Sequence, residues 1–349
     1  MVMTNPCAWY LSDFKNVSSN GIKVMSAFSC GGGSTMGYKL LGCEVIAAND
    51  IDPEMAYHYR LNHNPKYYYL CPIEELLTKN LPQELFNLDI LDGSPPCSSF
   101  SMAGSREKDW GKKKKFREGQ AKQVLDDLFF DYLALAERLN PKVCIAENVK
   151  GMTLGKAKGY VKMIFQRFKE IGYQPQLFLV NAADCGVPQK RERVFFVALR
   201  NDIVKPKLIL NPTHRWISAG EATSDLQILT DDEIRDTKPA NIDLQYWKHT
   251  KKGSDYSNAV KKLKGKESLF SHIRLDELQP SNTLPAHHRS IKHWGECRKL
   301  TYREFIRLGS FPDDYQAKTP SIGKYIIGMS VPPLMMKAVA KAVIEQWLN

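Results

Sequence analysis

Ile22-Lys23-Val24-Met25-Ser26-Ala27-Phe28 runs into Ser29-Cys30-Gly31-Gly32-Gly33-Ser34-Thr35-Met36-Gly37, and Val45-Ile46-Ala47-Ala48 follows, closed by Asn49-Asp50-Ile51-Asp52-Pro53. An apolar run of strand length, a glycine turn, a short helix to Leu41 and a second apolar run make a βαβ unit. Its second strand ends in an acid, the layout by which α/β proteins hold an adenosine ribose. The spacing narrows the ligand. A dinucleotide fingerprint needs Gly-x-Gly-x-x-Gly, but counted from Gly31 the third glycine arrives one place late, at Gly37, with Met36 where it should stand. The chain also lacks the Gly-x-x-x-x-Gly-Lys-Ser/Thr loop that cradles a triphosphate. An adenosine cofactor without a pyrophosphate is favoured, and S-adenosylmethionine fits that description. A glycine turn that merely reverses the chain is the equal alternative at this point.

Outward from this unit, Phe86-Asn87-Leu88-Asp89-Ile90-Leu91-Asp92 reads as a buried strand that opens into Gly93-Ser94-Pro95-Pro96-Cys97-Ser98-Ser99-Phe100-Ser101. Two prolines stiffen the backbone before a thiol at a sheet edge, which suits a presented nucleophile; a small buried residue is the other use of a cysteine. A glycine-punctuated basic loop follows, with Lys112 to Lys115 and Arg117. It reads as a solvated face or as a lid closing on a phosphate backbone. Helical periodicity spans 120–139, and Lys142 to Ala146 forms a buried strand delivering Glu147-Asn148-Val149. A carboxylate there serves as a ligand, an ion-pair member or a catalytic acid; with Cys97 on another strand end, catalysis ranks first. Gln176 to Asn181 and Val194 to Leu199 read as strands flanking Gln189-Lys190-Arg191-Glu192-Arg193, where alternation puts Arg191 and Arg193 on one face.

Composition bounds the partners. A chain of 349 residues is long for one domain, and a net charge of +11 suits a polyanion. Eight scattered cysteines without a Cys-x-x-Cys pair read as reduced thiols in a cytoplasmic protein. No apolar run of signal-peptide or bilayer-spanning length is expected, and residues 1–20 read as a loose lead-in.

Pro95-Pro96-Cys97, Glu147-Asn148-Val149 and Gln189-Lys190-Arg191-Glu192-Arg193, in that order behind the Phe28 and glycine turn, resemble the DNA (cytosine-5)-methyltransferases. Pro280-Ser281-Asn282-Thr283-Leu284, Leu300 to Glu304, Gly309 to Pro312 and Gly328-Met329-Ser330-Val331-Pro332 follow the family's late motifs, so the resemblance runs from about Ile22 to the end. It implies an α/β fold with a Rossmann-like S-adenosylmethionine-dependent sheet and a smaller, irregular target-recognition domain. The expected division is 1–200 for catalysis and cofactor, 201–317 for target recognition and 318–349 returning to the large domain. The implied activity is methyl transfer to C5 of a flipped-out cytosine in a specific duplex sequence, through a covalent Cys97–C6 adduct. Catalysis would fall to Cys97, Glu147, Arg193 and Arg191. Phe28, Gly32, Asp50, Ile51, Ile73, Pro95, Leu128 and Ser330 would bind the cofactor, and Ser98, Lys112, Lys113, Gln189 and Arg191 the DNA. The chain departs from the family at Cys30, where a glycine is usual, at Cys71-Pro72-Ile73, where an Asp usually meets the adenine, at Ser98 and at Met329.

Between Arg200 and Gln279 elements are hard to assign, and Trp216, Tyr246, Trp247, Lys248, His249, Lys251, Lys252 and Lys261 to Lys266 interleave aromatic and basic residues, as contacts to phosphates and base edges require. His287, His288 and His293 lack Cys or acidic partners at metal-ligand spacing, so no metal is expected. Double-stranded DNA is the expected partner of a monomer, with a restriction endonuclease acting on the same site and no membrane. The rival readings are a tRNA cytosine-5 methyltransferase, from the branch of this family that modifies RNA, and an inert DNA-binding regulator, against which the intact Cys97, Glu147 and Arg193 argue.

Overall fold

The computed structural model describes residues 5–96, 128–155, 157–265, 272–286 and 290–349, with the backbone of β5 (Lys113–Lys114) and β6 (Gln123–Val124) between them. Contacts divide the chain into two compact units. A sheet unit holds Phe14–Val180, Glu192–Pro212 and Met336–Asn349, and a helical unit holds residues up to Asp13, Asn181–Arg191 and Thr213–Met335.

The opening stretch folds as its pattern requires. Strand β1 (Lys23–Ala27) leads through the glycine turn into α1 (Gly33–Lys39), β2 (Glu44–Asp50) and α2 (Pro53–His63). Asp52 caps α2 by accepting from the Glu54 and Met55 N–H groups, and Pro53 at the first position donates nothing the helix would need. Strands β3 (Tyr67–Leu70), β4 (Ile90–Gly93), β7 (Val143–Val149), β8 (Tyr173–Asn181) and β9 (Glu192–Arg200) complete a seven-stranded sheet in the order β3-β2-β1-β4-β7-β9-β8. The first five in this order pair parallel, and β9 runs antiparallel to β7. Parallel strands need both faces covered, which explains their near-continuous apolar runs. Helix α3 (Leu128–Leu139) supplies Leu128, Phe129, Tyr132, Leu133, Leu135, Ala136 and Leu139 to one buried cluster with Met25, Ile73, Leu91, Ala146 and Phe196, and α4 (Ala157–Glu170) adds Tyr160, Ile164 and Phe168.

Three local expectations are corrected. The run 86–92 is not strand throughout: Gln83–Asn87 forms a 3-10 helix, because Pro82 and the polar Gln83 and Glu84 start a tight turn before the apolar residues take over at Ile90. The beginning of the chain is tied down: Asn5 donates from Nδ2 to the Glu221 carbonyl and to Asp225, and Trp9 donates from Nε1 to the Ser310 carbonyl. By length and composition, Pro320–Leu348 is apolar enough to cross a bilayer, although the sequence suggested no such run. Two thirds of its apolar window is buried inside the protein, and Ser330, Val331 and Pro332 interrupt it between α10 (Pro320–Met329) and α11 (Pro333–Val343), as a core segment allows.

The region where elements were hard to assign is helical in its own unit. Four helices, α5 (Ala219–Ala222), α6 (Asp231–Thr237), α7 (Asn241–His249) and α8 (Ser257–Lys264), precede the short parallel pair β10 (Ile273–Arg274) and β11 (Ile291–Lys292). Thr230 and Glu233 make a reciprocal capping box, as do Thr301 and Glu304 at α9 (Tyr302–Leu308). Buried ion pairs hold this unit. The Arg298 guanidinium grips Glu304 at 2.7 and 2.8 Å, and Arg307 reaches both Asp225 and Asp313.

Candidate active site

The C-terminal ends of β1, β2, β4 and β7 carry the candidate groups, the edge at which open α/β sheets bind ligands. At the end of β7, Glu147 is nearly buried and its Oε1 lies 2.9 Å from Nε of Arg193, near the start of β9. The ladder explains the pair. Glu147 stands opposite Phe195 and Val149 opposite Arg193, so the two side chains are diagonal neighbours on one face of the antiparallel ladder. One residue on, Asn148 donates from Nδ2 to the Pro95 carbonyl at 3.0 Å. This bond pins the turn that leads to Cys97 against the strand end that carries Glu147. Pro95 is buried, and the two prolines allow the turn little freedom. Cys97, Ser98 and Lys112 lie outside the described residues, and Lys113 enters only as backbone of β5.

Arg191 does not share the face of Arg193. Arg191 belongs to the helical unit and is 3% exposed; it donates from Nη1 to the Leu284 carbonyl and from Nη2 to the Gly328 carbonyl. Gln189 is likewise enclosed, donating to the Leu308 carbonyl and accepting from the Leu284 N–H. The alternation that would align two arginines ends between Arg191 and Glu192, where the chain passes from one unit to the other. In this placement the described hydrogen bonds of the Arg191 and Gln189 side chains go to backbone groups of the helical unit. His293 is buried too, stacked on Trp294 at 3.9 Å with its Nδ1 accepting from the Gly295 and Glu296 N–H groups. Among the described residues, no group of three or more His, Cys, Asp or Glu is placed to hold a metal ion.

At the first turn, Phe28 and Cys30 both take positive φ, 53° and 46°, and Gly32 follows at 89°. Such values strain non-glycine residues and persist where surrounding bonds enforce them. Here Ser29 N–H donates to the Asn49 carbonyl, Cys30 N–H to Oδ2 of Asp50, and Asp52 N–H to Oδ1 of Asp50. Burial pushes the Asp50 carboxyl up to about 6, against the opposing pull of those N–H donors. These fixed backbone donors leave the remaining lone pairs of Asp50 aimed by the protein, as a diol acceptor requires. Phe28 packs against the same apolar cluster that contains Ile73 and Leu128, which are themselves 2% and 0% exposed. Ile51 is half-buried beside Asp50 in sequence. Ser330 lies in the helical unit, and its Oγ is buried without a hydrogen-bond partner.

Three residues with clear structural roles carried little signal in the sequence. Asp92 ends the apolar run of β4 and is 1% exposed, accepting from Ser26 Oγ at 2.9 Å and Tyr38 Oη at 3.2 Å. Burial pushes its carboxyl up to about 7. Asn148 was visible only as the neighbour of Glu147, and nothing in the sequence singled out His63.

A family model of the C-5 cytosine-specific DNA methylases matches residues 22–345. The Type II methyltransferase M.NgoFVII of Neisseria gonorrhoeae is 30% identical over 94% of this chain and 88% of its own length. M1.HphI of Haemophilus parahaemolyticus is 27% identical over 92% and 86%. Among solved structures, a putative DNA modification methyltransferase encoded within an E. coli prophage has the same fold, with a TM-score of 0.69 at 18% identity over 93% of this chain and 99% of its own. A Spodoptera frugiperda DNMT2 variant has it with a TM-score of 0.65 at 17% identity over 93% and 100%.

Proposed function

The chain belongs to the C-5 cytosine-specific DNA methylases, and from that premise we propose that Cys97, Glu147 and Arg193 carry its reaction. The protein is an S-adenosylmethionine-dependent DNA cytosine-C5 methyltransferase. When bound, the cofactor supplies a methyl group on a sulfonium, an electrophile that C5 of cytosine is too weak to attack unaided. The residues of this chain make C5 nucleophilic. The Cys97 thiolate adds to C6 and converts the ring to an enamine, while Glu147, in the form that carries a proton, donates to N3 where negative charge develops. After methyl transfer, loss of the C5 proton to a base and expulsion of the thiolate restore the ring double bond. Arg193 orients Glu147 and offers its remaining donors to the base or the adjacent phosphate. Because C6 is shielded in a duplex, the cytosine is flipped out before attack.

The observation that carries this assignment is the pair of tethers at β7, the 2.9 Å ion pair of Glu147 with Arg193 and the 3.0 Å bond from Asn148 to Pro95, two residues before Cys97. The sheet unit suits the cofactor on its own geometry. The oriented carboxylate of Asp50 would take the ribose hydroxyls, Phe28, Ile51, Ile73 and Leu128 would enclose the adenine, and Gly32 and Pro95 would complete the cofactor-binding set.

We assign target reading to the helical unit, where Lys248, Lys251, Lys261, Lys262 and Lys264 are exposed around α7 and α8, and Trp216 is half-exposed beneath the Lys190 ammonium at 5.0 Å. The chain would act as a cytoplasmic monomer that marks one short sequence against a restriction endonuclease, in keeping with Type II relatives.

Bisulfite sequencing of DNA from a methylation-free host expressing the chain tests the reading. Cytosines in one short context become protected with the intact protein, and none with Cys97→Ala. Glu147→Gln should lower kcat by roughly 100-fold or more, the usual contribution of a positioned acid. Protection that persists in Cys97→Ala would overturn the assignment.

A further inference from the structure

The cofactor turn is held from one side by Asn49 and Asp50 at the end of β2, and from another by a residue of α2. His63 closes that helix, is 6% exposed, and brings Nε2 to 3.2 Å from the Gly31 carbonyl. A carbonyl only accepts, so Nε2 carries the proton and the ring is the neutral Nε2–H tautomer. Nδ1 is then an acceptor, and it is buried without a partner. Burial, together with the Lys39 ammonium, pushes the imidazole down to about 3, so it stays neutral throughout the working range. Lys39 in turn donates to the His63 carbonyl at 3.1 Å, and Tyr59 meets the ring edge-on at 4.8 Å.

The ring also occupies the space that a side chain at position 32 would need. A Cβ on Gly32 would fall well inside 3.0 Å of both Nε2 and Cδ2 of His63. Gly32 is therefore required twice, once for its φ of 89° and once for the imidazole beneath it.

We propose that His63 is a positioning residue for the cofactor: by donating to Gly31 and filling the volume under Gly32, it sets the path of the turn that receives S-adenosylmethionine, and so sets the affinity for it. The inference rests on the assignment of the glycine turn to the cofactor. The chemistry of the ring suits the task. An aliphatic side chain would fill the volume but give no donor, and a lysine would place a second cation beside Lys39 and close to a ligand that is itself a sulfonium. A neutral imidazole supplies shape and donor without charge.

The test is calorimetric titration of the purified full chain with S-adenosylmethionine, alongside the KM for DNA and the thermal unfolding of each free protein. His63→Leu should raise the cofactor Kd about tenfold, the usual worth of one buried hydrogen bond, and leave the KM for DNA unchanged. His63→Gln, which keeps an amide donor, should recover most of that loss. Gly32→Ala should weaken binding further than His63→Leu. The double variant Gly32→Ala/His63→Ala should bind more tightly than Gly32→Ala alone, because the clash is gone and only the backbone strain remains. A folded His63→Leu with unchanged Kd would overturn the proposal, as would a double variant weaker than Gly32→Ala. If Gly32→Ala itself binds as the parent does, the turn is not the cofactor site and the proposal falls with that assignment.

Discussion

Replacing Asp92 with Asn should make the protein more stable in alkali and remove much of its pH dependence. Asp92 sits on β4 in register with Ser26 on one side and Ile145 on the other. Its carboxyl accepts from the neutral hydroxyls of Ser26 at 2.9 Å and Tyr38 at 3.2 Å, the Ser34 hydroxyl also favours the anion, and Glu147 adds a like charge. Burial and that repulsion lift its titration to about 7 from an ordinary 3.8, although the hydroxyls favour the anion. The native state thus holds a proton that the unfolded state releases above pH 3.8. Stability from this group is complete below that value and is lost as pH rises toward 7. Three pH units at ~1.4 kcal/mol each come to about 4 kcal/mol, of which about 3 kcal/mol falls between pH 5 and 8. Asparagine keeps the shape and can exchange hydrogen bonds with the Ser26 and Tyr38 hydroxyls, but cannot ionise. Urea unfolding of parent and Asp92→Asn at pH 5.0, 6.5 and 8.0 would show the variant equal or about 1 kcal/mol weaker at pH 5, then gaining on the parent by about 3 kcal/mol at pH 8. A difference that stays constant across the three pH values would refute the reasoning.

Cofactor binding should weaken as pH falls through about 6, where Asp50 takes up a proton and loses its acceptor charge; titration with S-adenosylmethionine at pH 5, 6 and 8 should show the change, and Asp50→Asn should bind weakly at all three. Cys30→Gly should raise the melting temperature by roughly 1 °C, because relief of a φ of 46° outweighs the extra freedom of the unfolded chain by a few tenths of a kcal/mol; a fall of several degrees in a thermal shift assay would mean that the 3.5 Å contact of Cys30 Sγ with Met55 Sδ matters more. Arg307→Met should destabilise the helical unit by about 3 kcal/mol in urea unfolding, since it leaves Asp225 and Asp313 facing one another without their shared cation.

Elements whose signal is local were legible. The βαβ unit at 22–52 and the buried strand before Glu147 follow from apolar periods and glycine placement, and the structure puts each within a few residues of its expected bounds. The helix expected over 120–139 is right at its end and wrong at its start: α3 begins at Leu128, and Gln123–Val124 belongs to β6. The capping boxes at Thr230 and Thr301 were written in the sequence as well, yet α5 to α8 went unassigned because each is short and its apolar stripe is narrow. The strand expected over 86–92 failed at its first half for a related reason: an apolar run of that length does not distinguish a strand from a turn of 3-10 helix.

Order and type of motif along the chain were enough to reach the family, the cofactor and the reaction, because the resemblance depends on which motifs occur and in what order, whatever their distances in sequence. The environment of each group was decided only by tertiary structure. Arg191 and Arg193 are two residues apart, but one is enclosed against carbonyls 93 and 137 residues away while the other pairs with Glu147 across a strand ladder. Asp92 became a buried acid through Ser26 and Tyr38, and His63 came to rest beneath Gly32 because α2 returns along the sheet. Hydrophobic periodicity specifies which face of an element is buried, whereas the charge, tautomer and freedom of a polar side chain depend on which distant backbone and hydroxyl groups the packing brings within hydrogen-bond reach.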